Sequence, residues 1–249
     1  MLRFAQNGDE NSLLPCLEAD AFAAKAGGLI RAYGCGGRII DVWYGGEKDD
    51  ASCVIVRLNG NVSLWCNENC DFEETAEFLQ FIGYERIFCD SAVMKKLGLT
   101  LSRSCAVMKC GGIEPCGEVE EIGENIREMY DLICECIPGS FTEEGYMPFL
   151  SDFTYRRRRG LARAKCICED GKIVACALVS SYTDKDAVIS GVACNPLCRG
   201  KGYAKRVVSA LVNELLAENK NVYVFVLDSK ARGFYEKIGF IPCGEWSET

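Results

Sequence analysis

Histidine is missing from the whole chain. That removes the commonest general base and every Ser-His or Cys-His nucleophile scheme. No apolar run reaches the roughly 18 residues that a membrane span needs. No two of the 17 cysteines stand in C-x-x-C spacing. Zinc sites usually use such pairs or histidine-containing ones, so no metal is expected. An excess of basic charge is lacking too: 28 basic against 36 acidic residues give a net charge of −8. Broad nucleic-acid binding needs a basic face to displace counterions, so that class is set aside.

What is present bounds the answer from the other side. A chain of 249 residues, about half of them hydrophobic, can bury one large core or two modest ones. The start, Met1-Leu2-Arg3-Phe4, is soon followed by Asp9 and Glu10 and does not read as a signal peptide. With an odd number of cysteines this points to reduced thiols and a cytoplasmic protein. Buried cysteine behaves as a small hydrophobe, and Cys166-Ile167-Cys168 has the period of a strand.

The first third mixes elements. Leu17 to Tyr33 is alanine-rich and helical in character. Ile39 to Tyr44, Cys53 to Leu58 and Val62 to Cys66 are strand-like, with an Asn59-Gly60 hairpin turn between the last two. Asp71 and Glu74 have capping-box spacing for a helix that stops at Gly83. Arg86 to Cys89 and Ala106 to Cys110 read as strands around a short helix, Ala92 to Leu97. Gly111-Gly112-Ile113-Glu114-Pro115 gathers breakers and marks the expected domain boundary, giving 1–112 and 113–249.

Beyond it, Ile122 to Ile137 and Tyr146 to Arg159 are helical, the first ending at Pro138-Gly139. Three runs, Ala162 to Cys168, Lys172 to Tyr182 and Ala187 to Cys194, then form an antiparallel meander with turns at Asp170-Gly171 and Asp184-Lys185. After Gly202 the period becomes helical, with Ala204, Val207, Val208, Leu211, Val212 and Leu215 on one stripe. Val222 to Leu227 is wholly apolar, as a central strand is. A short helix, Ala231 to Ile238, leads through Gly239 into a last strand at Phe240-Ile241.

Arg199-Gly200-Lys201-Gly202-Tyr203-Ala204 lies between a strand and a long helix. The N–H groups of a first helical turn and the positive end of the helix dipole suit a phosphate. Arg199, Lys201, Lys205 and Arg206 put four cations within eight residues, which fits a small anionic ligand better than a polymer. By contrast, the arginines of Tyr155-Arg156-Arg157-Arg158-Arg159 fan around a helix and form no single stripe.

Two motifs then stand in order: Arg199, Gly202 and Ala204 as R-x-x-G-x-A after Gly191-Val192-Ala193-Cys194, and Phe234-Tyr235-Glu236-Lys237-Ile238-Gly239-Phe240. With the element order, residues 113 to 245 resemble the GNAT superfamily of acyl-CoA-dependent N-acetyltransferases. The resemblance implies a mixed, mostly antiparallel α/β (α+β) sheet flanked by helices. It implies acetyl-CoA as donor and a small-molecule or peptide amine as acceptor, with no membrane or nucleic-acid partner. It places the pyrophosphate on the N–H groups of Gly200, Lys201, Gly202, Tyr203, Ala204 and Lys205, with Arg199 adding charge. Backbone groups of Val192, Ala193 and Cys194 would pair with the pantetheine arm as an added strand. Tyr235 matches the family's tyrosine, a phenol able to protonate a departing thiolate. Asp228 stands where the family often has asparagine, which puts a charge beside an anionic ligand.

The base is less legible; Glu143, Glu144, Asp152 and Asp186 are candidates by position only. Met94-Lys95-Lys96-Leu97-Gly98-Leu99 echoes Tyr235 to Phe240 at a distance of 141 residues. The first part is thus either a worn copy of the same fold or an unrelated α/β domain. It has methionine in place of tyrosine and no R-x-x-G-x-A. The alternatives to acetyl transfer are a different acyl donor on the same fold and a non-catalytic acyl-CoA-binding or regulatory module. Oligomeric state is not legible.

Overall fold

The structure, a computed structural model, describes residues 1–37, 39–137 and 142–249. The first part runs β1 (Arg3–Phe4), α1 (Glu10–Cys16), α2 (Ala21–Tyr33), β2 (Asp41–Glu47), β3 (Asp50–Leu58), β4 (Asn61–Cys66), α3 (Phe72–Ile82), β5 (Arg86–Asp90), α4 (Ser91–Lys96) and β6 (Arg103–Cys110). The second runs β7 (Glu120–Glu121), α5 (Ile126–Cys136), α6 (Tyr146–Arg158), β8 (Ala164–Glu169), β9 (Lys172–Tyr182), β10 (Asp186–Cys194), α7 (Tyr203–Ala217), β11 (Asn221–Phe225), α8 (Ser229–Lys237) and β12 (Phe240–Glu248). The expected helix stop at Pro138-Gly139 lies outside the described residues.

Local chemistry explains most boundaries. The segment read as a helix from Leu17 is helical only from Ala21, and a separate helix, α1, ends just before it at Cys16. Asp20 breaks it in extended conformation, and its carboxylate accepts the N–H groups of Phe22 and Ala23 to start α2. Asp71 caps α3 through the N–H of Glu74, but the capping box is only half made, because Glu74 Oε1 accepts from the N–H of Leu2 at 2.9 Å. Asn59 and Gly60 both have positive φ, as does the Asp170-Gly171 pair. That is the backbone a tight hairpin turn needs.

The twelve strands of the described residues join one sheet, in the order β1-β2-β3-β4-β5-β12-β6-β11-β10-β9-β8-β7. Most neighbours are antiparallel; β4–β5 and β10–β11 are parallel. The centre crosses the boundary expected at residue 112. β6 precedes it yet pairs with β11 and β12, and β12 reaches over to β5. Each part of the chain thus lends its last strand to the other.

Alternation sets the layers. On β9, Ala175, Ala177 and Val179 pack with α7 and α8, while Cys176 and Leu178 pack with α5 and α6. On β3, Val54 and Val56 pack with α2 and Ile55 packs with α3 and α4. Helix α2 is buried on nearly every side and spans both parts of the sheet, touching β3, β4, β9 and β10. It lies close to β9 because Gly28 carries no side chain; a Cβ there would meet Ser181 Cβ at 2.8 Å. The 17 cysteines are all free thiols, and burial pushes those of Cys89 and Cys176 up to about 12, in keeping with a packing role. Among the described residues no helix is long and apolar enough to cross a membrane.

Candidate active site

The site begins where two parallel strands part. β10 and β11 are in register from Asp186↔Asn221 to Ile189↔Val224 and no further. Beyond that, β10 stays with β9 while β11 turns its backbone to the other side. Val226 N–H donates to Ala106 O at 2.9 Å, and the Trp246 indole N–H donates to Val226 O at 2.8 Å. The exchanged strands β6 and β12 therefore hold one wall away from the other.

A bulge helps on the β10 side. The register slips between Ser190 and Ala193, and Gly191 between them has φ of +55°. A Cβ there would press on the side-chain ends of Leu178 and Ile133 at 2.9 and 3.0 Å in a left-handed backbone, both of which favour glycine at the bend. The resulting cleft holds about 560 Å³ and runs between Ser190, Gly191 and Val192 on one wall and Phe225, Val226 and Leu227 on the other.

The glycine loop sits at the start of α7. Gly200 and Gly202 have φ of +83° and +80°, and no described residue accepts a hydrogen bond from the N–H groups of Gly200, Lys201 or Gly202. Space is open around Gly202, so the protein itself needs glycine there for its left-handed backbone. Tyr203, Ala204 and Lys205 form the first turn of α7, whose N–H groups have no partner further back in the helix.

The loop's side chains are largely committed elsewhere. Lys201 pairs with Glu169 at 3.1 Å, and the Tyr203 hydroxyl donates to the same carboxylate. These two bonds, the tyrosine's first, hold Glu169 below its ordinary range. Glu169, at the end of β8, was not singled out by the sequence. Arg199 Nε donates to Cys194 O at 3.3 Å, and Cys136 Sγ reaches the same oxygen at 3.4 Å. Of the three residues expected to offer free backbone, Cys194 thus has its carbonyl taken. Val192 lines the cleft and Ala193 is buried beneath α5. Arg206 donates to Glu118 O, and no described partner is recorded for Lys205.

Tyr235, on α8, lines the inner end of the cleft and is 5 % exposed. No described residue hydrogen-bonds its hydroxyl, and its ring packs edge-on against Phe234 and Phe240. Burial pushes the phenol well above its ordinary value, so it stays protonated. Asp228 caps α8 through the Ala231 N–H at 2.7 Å and stands exposed at the cleft mouth. The local cap accounts for a carboxylate at that position.

The four positional base candidates do not line the cleft. Glu143 is tied to Arg127 at 2.6 Å, and Glu144 lies exposed beside it. Asp152 is held by Arg156 and the Tyr33 hydroxyl. Asp186 begins β10, at the paired end, and binds Asn221 at 2.9 Å. The arginine run is dispersed, as its spacing implies: Arg156 donates inward to Ser180 O at 2.6 Å and Arg157 to Gly123 O at 2.8 Å. Three cleft residues the sequence did not mark come from the first part of the chain: Lys25 of α2, Phe88 of β5 and Arg103 of β6.

No curated protein matches the chain in sequence. Solved structures do match in fold. A Drosophila protein shares a TM-score of 0.68 at 11% identity, covering 99% of this chain and 97% of its own. A GCN5-related N-acetyltransferase from Kribbella flavida scores 0.64 at 12% identity over 98% and 95%. A tandem GNAT protein from the clavulanic acid biosynthesis pathway, solved without acetyl-CoA, scores 0.63 at 12% identity over 100% and 97%. The family model described as "Acetyltransferase (GNAT) family" matches residues 126–240, from the start of α5 to the start of β12. Parted parallel strands, a glycine loop opening a helix, and these matches together identify residues 126–240 as a GNAT acetyltransferase domain.

Proposed function

We propose that the chain moves an acetyl group from acetyl-CoA to a primary amine on a small molecule or peptide. The observation that carries this reading is the cleft between β10 and β11, lined by an unpartnered phenol, together with the free N–H groups of Gly200, Lys201 and Gly202 in the loop that follows β10. The N–H groups from Gly200 to Lys205 fit a pyrophosphate, helped by the dipole of the 15-residue α7. Backbone of Val192 and Ala193, no longer paired with β11, offers strand-like bonds to an amide-bearing arm. The donor supplies a thioester, whose carbonyl carbon the amine attacks as the C–S bond breaks.

Tyr235 then gives its proton to the departing sulfur. Its raised pKa is not a bar, since the same apolar walls also disfavour a bare thiolate. The attacking amine must first shed its own proton. Asp228 is the carboxylate nearest that task among the residues lining the cleft, and solvent reaches it directly. We assign the chemistry to residues 113–249. Residues 1–112 are a worn copy of the same fold that covers the acceptor side.

Calorimetry with acetyl-CoA and thiol release across an amine panel test the reading. Binding with turnover supports it, and no acetyl-CoA binding overturns it. Binding without turnover on any amine favours a non-catalytic acyl-CoA module. Turnover only with longer acyl donors favours a different donor.

A further inference from the structure

Lys25 lines the cleft and has no task in acetyl transfer. It stands in the middle of α2, between buried Ala24 and Ala26. Its ammonium lies 4.2 Å from the centre of the Phe88 ring and 5.8 Å from that of Phe225, and borders the cleft. No described residue accepts a hydrogen bond from it or forms an ion pair with it. A cation sunk among apolar walls without a counter-ion is costly unless something supplies the missing charge. Glu248, the nearest acid, is bracketed by Arg86 at 3.6 Å and Arg103 at 3.9 Å.

The cleft passes through the sheet, and Lys25 stands on the face opposite Tyr235. Val188 packs with the α2 cluster, whereas the next residue, Ile189, packs with Tyr235 and α7. The donor loop opens α7, on the Tyr235 side. A second reactant therefore has the α2 side as its entry, and Lys25 with Arg103 is what it meets there.

Resting on the acetyl-transfer reading above, we infer that the acceptor is an amine that also bears a carboxylate, of the amino-acid class, and that Lys25 receives that carboxylate. The Phe88 and Phe225 rings hold the ammonium in place and keep water from screening it. Lys25 is a specificity-determining residue and takes no part in proton transfer.

Matched pairs test the inference: methionine with 3-(methylthio)propylamine, phenylalanine with 2-phenylethylamine, lysine with cadaverine. The wild-type protein is expected to favour the carboxylated member by on the order of 10- to 100-fold in kcat/KM. Lys25→Met should erase that preference, chiefly by raising KM for the carboxylated member, while Lys25→Arg keeps most of it. Equal kcat/KM within each pair for the wild type, or an intact preference in Lys25→Met, overturns the inference. If Lys25→Met loses its fold by circular dichroism, the wild-type comparison and Lys25→Arg decide alone. Calorimetric titration of the same pairs onto CoA-loaded protein separates this inference from the reading beneath it. A carboxylate preference in binding without turnover keeps the inference and sinks acetyl transfer; turnover with no preference does the reverse.

Discussion

The molecule has two places where parallel strands part, and they differ in what stands at the mouth. In the second part, β10 and β11 separate after four register pairs; in the first, β4 and β5 separate after three, Asn61↔Arg86 to Ser63↔Phe88. Each gap is followed by a helix, α7 or α3, and each holds a cavity, of about 560 and 250 Å³. The loop before α7 carries left-handed Gly200 and Gly202 and two cations, Arg199 and Lys201, with Lys205 and Arg206 following in the first turns of the helix. The turn before α3 is closed by its own side chains: Asn67 accepts from the N–H of Asn69, Asp71 caps the helix, and Glu73 and Glu74 fill the first turn. Parting strands make a cleft in both; only the second leaves the N–H groups of its glycine loop free, and the acid beside that loop, Glu169, is tied to Lys201 and Tyr203. Buried Met94 stands in the first where Tyr235 stands in the second.

The largest test of this contrast removes a side chain that ties β5 to the β11 wall. Trp246 of β12 is 2 % exposed, stacks on Phe88 at 5.1 Å and holds Val226. Trp246→Ala should lower unfolding stability by about 3–5 kcal/mol in denaturant titrations. Because Phe88 belongs to β5 and Val226 to the β11 wall, acetyl-CoA binding should weaken with it.

Tyr235→Phe comes next. Thiol release should fall on the order of 100- to 10,000-fold while acetyl-CoA still binds. The mirror change, Met94→Tyr, should give no new activity and should cost about 1–3 kcal/mol in denaturant titrations, because that core has no room.

Gly202→Val forces a branched residue into the left-handed region at about 1–2 kcal/mol and crowds the free N–H groups. Calorimetry should show acetyl-CoA binding at least about 10-fold weaker. The counterpart Asp71→Ala should cost about 1 kcal/mol of stability and leave acetyl-CoA affinity alone. Equal effects of the two changes on affinity would erase the distinction between the helices.

The smallest effect is in pH. Burial pulls Lys25 from its ordinary value down to about 8, with Glu248 raising it and Arg156 lowering it further. Arg103 and Asp228 are the other charges lining the cleft. The charged form is disfavoured in the folded state, so unfolding takes up a proton between about 8 and 10.5 and stability rises with pH there. The ammonium itself is present below about 8. The preference for carboxylated acceptors should therefore fade as pH rises through that value, and Lys25→Arg should flatten the profile.

Local signals carried much of the fold. The Asn59-Gly60 and Asp170-Gly171 turns, the Asp71 cap and the stripe of α7 all depend on residues within a few positions of one another. The exchange of β6 and β12 was not legible, because periodicity says that a segment is a strand and not which strand it meets. Glu169 looked like any strand-end acid; its value comes from Lys201 and Tyr203, more than thirty residues on. Lys25 did leave a trace. A cation in mid-helix, flanked by Ala24 and Ala26 and well before Arg31 of the last turn, breaks the pattern of a helix that is buried nearly all round. What it faces had to come from the fold.

The traded strands also govern how the chain can be made and cut. Ser91 and Ser247, whose hydroxyls meet at 2.7 Å, are 156 residues apart. During synthesis the β5 edge must wait for almost all of the second part before its neighbour emerges, so the centre of the sheet closes late. Cutting at residue 112 would leave two fragments, each with an unsatisfied edge beside a strand that belongs to the other. Such fragments should be insoluble apart and recover the sheet when produced together.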